Sequence, residues 1–276
     1  MRETMDGTPA LRAELDDTGV LLVTLDRPGA RHALSLDLLE ALAQALDLAA
    51  TSDAVRAVAL TGAGGAFCAG GDVRLMAQGR SIFGPADEPE RRAAAQSDAQ
   101  RRTVVRLREL GKPTVAIVDG PAVGAGLALA LACDLRVAGE SAMLMTGFGR
   151  VGLAGDFGCN WLLHDLVGRS TARELLLTSA PVPASEALRR GLVSEVHPDH
   201  ELMERGLALA RRLARVPAAA VEAMLSASDL APSLSFAEAC DRDARIHVRL
   251  AGTDAHRALV ARLVERSSAR SAGADG

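Results

Sequence analysis

Residues 112–139 read KPTVAIVDGPAVGAGLALALACDLRVAG, and the fold turns on how they are parsed. Val115 to Val118 is a short apolar run with β-branched members, preceded by Pro113 and ended by Asp119-Gly120, the pattern of a buried strand. Gly124-Ala125-Gly126 then allows positive φ and close backbone approach, and residues 127–133 supply strong helix formers without a break. Leu135 to Ala138 returns as another strand. The first N–H groups of the helix have no partner within it, and the helix dipole adds partial positive charge there. The turn is therefore either a plain connection or a place that holds an anion or a developing oxyanion. A dinucleotide fingerprint fits poorly, because Leu129 stands where the third glycine belongs. A membrane span fits poorly too: Asp119 and Pro121 interrupt the apolar residues short of the roughly twenty that cross a bilayer.

The 276 residues suffice for a substantial core and fit one large domain, alone or with an appendage. A net charge of -4 leaves no basic excess, so neither nucleic acid nor a membrane is expected as a partner. Cys68, Cys133, Cys159 and Cys240 are scattered without CxxC spacing, and no histidines pair at ligand spacing. Buried thiols are expected, with no metal and no disulfide framework. The opening MRETMDGTPALRAEL lacks an apolar signal core, so a cytoplasmic protein is expected.

Along the chain, residues 11–15 and 20–25 read as two antiparallel strands about the turn 16–19. Residues 34–50 have apolar positions at helical spacing, with Ser35 as N-cap. Residues 55–60 follow as a strand, and a second glycine-rich turn, residues 61–72, lies at its carboxyl end, where open α/β sheets bind ligands. Residues 80–89 form a loop without periodicity, and residues 91–110 a basic-faced helix. After helices over 171–177 and 184–191 and a strand over 192–196, the pattern is helical only: 201–215, 217–225, 236–250 and 254–266. The chain thus divides into an α/β core domain over 1–200, a helical C-terminal oligomerisation region over 201–266 and a flexible tail over 267–276.

Several motifs in this order resemble the enoyl-CoA hydratase/isomerase, or crotonase, superfamily over nearly the whole chain. They are Arg27-Pro28 with Ala33-Leu34, Phe67 to Asp72 (FCAGGD), Gly120 to Gly126 (GPAVGAG), Cys133-Asp134, Val151-Gly152-Leu153, Leu166-Val167-Gly168 and the AxxxGLV of Ala187 to Val193. The resemblance implies an α/β fold that spirals through ββα units with a helical C-terminal appendage, and a homotrimer or homohexamer. It also implies an acyl-CoA thioester as substrate, with no separate cofactor. The oxyanion donors would be the N–H groups of Gly71 and Ala125, each worth about 3 to 4 kcal/mol on an enolate oxygen. Contacts to CoA and substrate would fall on Ala33, Ala69, Gly71, Asp72, Val73, Arg74, Gly124 and Ala125. Phe148 and Trp161 would wall the acyl pocket, and the loop 80–89 would cover it.

The acids depart from the hydratase pattern. The two glutamates that hydratases share map onto Ala128 and Phe148, neither of which moves a proton, so water addition lacks its acid and base. Asp156, in VGLAGDFG, matches the aspartate of the Asp-dependent isomerase branch, which includes the epoxyphenylacetyl-CoA isomerases, and of dienoyl-CoA isomerases. The resemblance therefore implies an isomerase that shifts a double bond or rearranges a ring, with Asp156 as acid and base. Three alternatives stay open: a hydratase, a dehalogenase-like hydrolase with Asp156 as nucleophile, and a catalytically silent acyl-CoA-binding subunit. Asp156 could also simply cap the helix after it. His32 and His164 are expected to be structural.

Overall fold

The computed structural model describes residues 10–274. The chain forms two compact units, Met1–Arg215 and Val216–Gly276. In the first, β1 (Leu11–Leu15), β2 (Val20–Leu25), α1 (Leu36–Thr51), β3 (Ala57–Gly62) and the short α2 (Val73–Ala77) come first. A long helical stretch follows: α3 (Pro89–Gln100), a π-helical turn (Arg101–Val105) and α4 (Arg106–Arg108). Next are β4 (Thr114–Val118), β5 (Pro121–Val123), α5 (Ala125–Ala132), β6 (Leu135–Gly139), β7 (Met143–Met145) and α6 (Cys159–Thr178). The unit ends with β8 (Val182–Pro183), α7 (Ala184–Arg189), β9 (Glu195–His197) and α8 (Asp199–Ala214).

Six strands form one sheet in the order β1-β2-β3-β4-β6-β9, and β5-β7-β8 form a second. Only β1 runs antiparallel to its neighbour in the large sheet. The spiral repeat is visible in β4-β5-α5 and β6-β7-α6: one strand enters the large sheet, the next enters the small one, and a helix closes the turn. The α/β class and the helical C-terminal region thus hold.

Strand alternation divides the core. Val58, Leu60, Ala116 and Val118 face one cluster, with α1 and α5; Ala57, Ala59, Val115 and Ile117 face the other, with Leu202, Leu209 and Ala210 of α8. A sheet buried on both faces needs a helix layer on each. Gly206 lets α8 close in, since a Cβ there would stand 2.6 Å from the Ile117 side chain. Burying Leu202 and Leu209 contributes roughly 1.5 to 3 kcal/mol each. For this reason α8 packs on the sheet, and the first unit ends at Arg215 rather than at the boundary near 200 suggested by the helix-only pattern.

The second unit comprises α9 (Ala218–Leu230), α10 (Phe236–Ala251) and α11 (Asp254–Ala274). Ser235 and Glu238 close a capping box on α10. α11 is helical to Ala274, where a flexible tail was expected from 267. The last two residues of that tail, and residues 1–9 of the start that was expected to lack a signal core, lie outside the described residues. Cys68, Cys133 and Cys159 are buried as expected, but Cys240 is exposed on α10. No helix among the described residues is long and apolar enough to cross a membrane.

Candidate active site

The two glycine-rich turns meet backbone to backbone. Phe67 and Cys68 both donate their N–H to the Pro121 carbonyl, at 3.0 and 3.1 Å, and Val123 donates to the Cys68 carbonyl at 2.9 Å. Side chains have no room at the seam: a Cβ on Gly126 would lie 2.2 Å from the Cys68 oxygen, and one on Gly70 would lie 2.4 Å from the Val123 oxygen. Gly124, at φ 56° and ψ -122°, turns the chain from β5 into α5 in a conformation open to glycine. What remains at the seam is a pair of unused donors. Among the described residues, neither the Gly71 nor the Ala125 N–H has a hydrogen-bond partner. Both residues line one cavity of about 200 Å³ with Ala69, Val73, Gly124 and Phe148.

Asp156 lines that same cavity. Its loop is pinned at several points: Leu153 donates its N–H to the Phe148 carbonyl at 3.0 Å, Asn160 Nδ2 donates to the Ala154 carbonyl at 3.1 Å, and the Phe157 ring is buried. The cap of α6 is Gly158, without a side-chain hydrogen bond, and Asp156 contributes only its carbonyl, to the Cys159 N–H at 3.0 Å. The carboxylate is therefore free of the capping role and faces the cavity. Oδ2 accepts from Gln96 Nε2 at 3.3 Å; Oδ1 is buried and has no partner. Burial, with no cation set against it, pushes the Asp156 pKa up to about 6.

A second cavity, of about 230 Å³, shares Met76, Phe148, Leu153 and Asp156 with the first. Its other walls include Ile82 and Phe83 from the loop 80–89 and Arg92 and Gln96 from α3. Sequence reasoning missed Gln96 and Arg92, since nothing in a polar helix face says which turn will meet a loop sixty residues on.

Other expected residues fall elsewhere. Asp72 lines the second cavity, but its Oδ1 is committed to the Arg74 and Leu75 N–H groups at the start of α2. Ala33 is buried behind the turn, where its carbonyl accepts from the Arg27 guanidinium, and Arg74 is exposed; neither lines the two cavities. Trp161 is also displaced from the expected acyl wall. It is 60% exposed on α6 and borders a separate, apolar pocket with Val104, Val105 and Phe157. The loop before α6 turns at Phe157 and Gly158, both at positive φ, and points the Asp156 side chain and the Trp161 side chain to different cavities. Ala128 is fully buried within α5. His32 is a buried brace: Nδ1 accepts from the Arg27 N–H at 2.9 Å, and Nε2 lies 2.7 Å from the Ala63 carbonyl. His164 is exposed. No metal-binding cluster occurs among the described residues.

Comparison with known proteins agrees with this geometry. The enoyl-CoA hydratase/isomerase family model matches residues 16–271. A probable enoyl-CoA hydratase of Mycobacterium leprae (strain TN) is 38% identical over 71% of this chain, which spans 66% of that relative, just under two thirds. The 1,2-epoxyphenylacetyl-CoA isomerase of Escherichia coli (strain K12) is 32% identical over 87% of this chain and 89% of its own length. Among solved structures, an enoyl-CoA hydratase from Polaromonas sp. JS666 superposes with a TM-score of 0.84 at 28% identity, covering 93% of this chain and 97% of that one.

Proposed function

The chain belongs to the enoyl-CoA hydratase/isomerase family, and from that premise we propose that it is an acyl-CoA isomerase, with Asp156 carrying the proton. The observation that carries the reading is Asp156 itself. It is the one acid on the cavity that holds the two unused amides, and its pKa of about 6 is that of a base poised near neutrality. In the proposed reaction the carboxylate removes a proton from the α or γ carbon of an unsaturated thioester. The electron pair moves into the carbonyl, and the Gly71 and Ala125 N–H groups hold the enolate oxygen. The same carboxylic acid then returns the proton at the other carbon, so the double bond moves and nothing is gained or lost. Water addition needs a second proton carrier. The places where hydratases keep theirs hold Ala128 and Phe148, and that absence supports isomerisation over hydration.

Incubation with 2-enoyl and 3-enoyl thioesters of several acyl types, followed by chromatographic separation of the double-bond isomers and mass spectrometry of each peak, tests the reading. The expected product is a new peak, separate from the substrate, with the mass of the substrate. A product heavier by one water would overturn the proposal in favour of a hydratase, and an acyl adduct on Asp156 in favour of a nucleophilic mechanism. CoA binding with no turnover across the panel would favour a silent subunit.

The proposal includes a homo-oligomer, trimer or hexamer. It is supported by the apolar side chains that Val216–Gly276 leaves uncovered: Phe236 is 86% and Val248 71% exposed, while Val221 is the buried hydrophobic residue described there. Such faces need a partner surface. Analytical ultracentrifugation at micromolar concentration is expected to show one assembly; a stable monomer would remove this part.

A further inference from the structure

The second cavity has an uneven inventory. Most of its wall is apolar, with Leu75, Met76, Ile82 and Phe83 beside Phe148 and Leu153, yet two arginines, Arg80 and Arg92, line it too. Arg92 is half-buried, and among the described residues its side chain has no hydrogen bond or ion pair, whereas its neighbour Arg91 pairs with Glu88 at 2.8 Å. Arg80 has only a 3.4 Å contact to Gln78. Neither acid of the cavity claims these cations: the Asp72 carboxylate serves the start of α2, and Asp156 meets Gln96. Arg92 and Gln96 are four residues apart on α3, hence on one face and about one turn, roughly 6 Å, from each other. Gln96 marks the reacting carboxylate, and Arg92 stands one turn beyond it.

A half-buried guanidinium with no protein partner keeps its donors free for something brought into the cavity, and its planar fork fits a carboxylate. We propose that the acyl group ends in a carboxylate received by Arg92, with Arg80 beside it. The substrate is then an ω-carboxyacyl thioester of CoA whose carbon chain lies against the apolar wall. This inference rests on the acyl-CoA reading above and adds the chemical class of the acyl group.

Saturated thioesters, which cannot isomerise, separate the two. Calorimetric titration with butyryl-, hexanoyl- and octanoyl-CoA against succinyl-, adipoyl- and suberoyl-CoA is expected to show at least one carboxylate-ended ligand binding roughly tenfold or more tighter than its methyl-ended counterpart. Arg92→Leu should abolish that preference while leaving the methyl-ended affinity within about twofold, and Arg92→Lys should restore part of it. Equal affinities in the unaltered protein would overturn the inference. So would an Arg92→Leu variant that weakens both series and free CoA alike, because Arg92 would then contact the CoA phosphates. Failure to bind any thioester or CoA would instead sink the acyl-CoA reading and the inference with it.

Discussion

Asp156→Asn is expected to lower isomerisation by a factor on the order of a hundred or more, the usual loss with a general base, and to leave thioester affinity nearly unchanged. The same substitution should make the protein more stable above pH 6. The carboxyl titrates at about 6 in the folded chain against an ordinary 3.8. Between those values the folded state keeps a proton that the unfolded state has released, so stability falls as pH rises through the window. Above it the ionised carboxylate costs at most about 3 kcal/mol. An asparagine carries no charge to desolvate, and Gln96 can rotate its amide to accept from the new Nδ2. Melting curves should place the variant above the unaltered protein at pH 8, with the gap closing below pH 4. Turnover of the unaltered protein should fall about tenfold per unit below pH 6. Full activity in the asparagine variant would remove Asp156 from the reaction, and no stability gap at pH 8 would remove its raised pKa.

Ala125→Pro should abolish turnover. Proline at the first position of a helix is well tolerated, because the missing N–H has no partner within the helix, and α5 begins at Ala125. The substitution thus deletes the donor proposed for the enolate oxygen and puts a ring carbon in its place. Loss of one such donor costs about a hundred- to a thousandfold, and the ring's obstruction adds to it. Ala125→Gly keeps the N–H and should be mild. A correctly folded proline variant with normal rates, checked by circular dichroism, would refute the assignment of this amide.

The sequence was most legible where local chemistry decides structure. Ser35 caps α1 as read, accepting from the Leu38 N–H at 3.3 Å, and both glycine turns lie where the strands before them end. It was least legible where distance along the chain decides. β5, β7 and β8 are two or three residues each, too short for any periodicity, and exist because they pair with one another. The first half of α6 was missed because Gly168, at φ 72° and ψ 168°, interrupts a helix that resumes on the other side. At the site, Gly71, Ala125 and Asp156 could be placed through motif resemblance. Trp161 could not, because its direction depends on how the chain turns at Phe157 and Gly158, and Gln96 had no motif at all.

All eight residues of α5, AGLALALA, are buried, and this limits how the molecule can be redesigned. At Ala128, where the resemblance places a glutamate of the hydratases, introducing an acid is not a single step. A carboxylate introduced at Ala128 would have to displace packed neighbours and give up its water, a penalty of about several kcal/mol before any proton is moved. Substitutions along the loop 80–89, which lines the second cavity, meet no such barrier, whereas two-acid chemistry would require the layer around α5 to be rebuilt first.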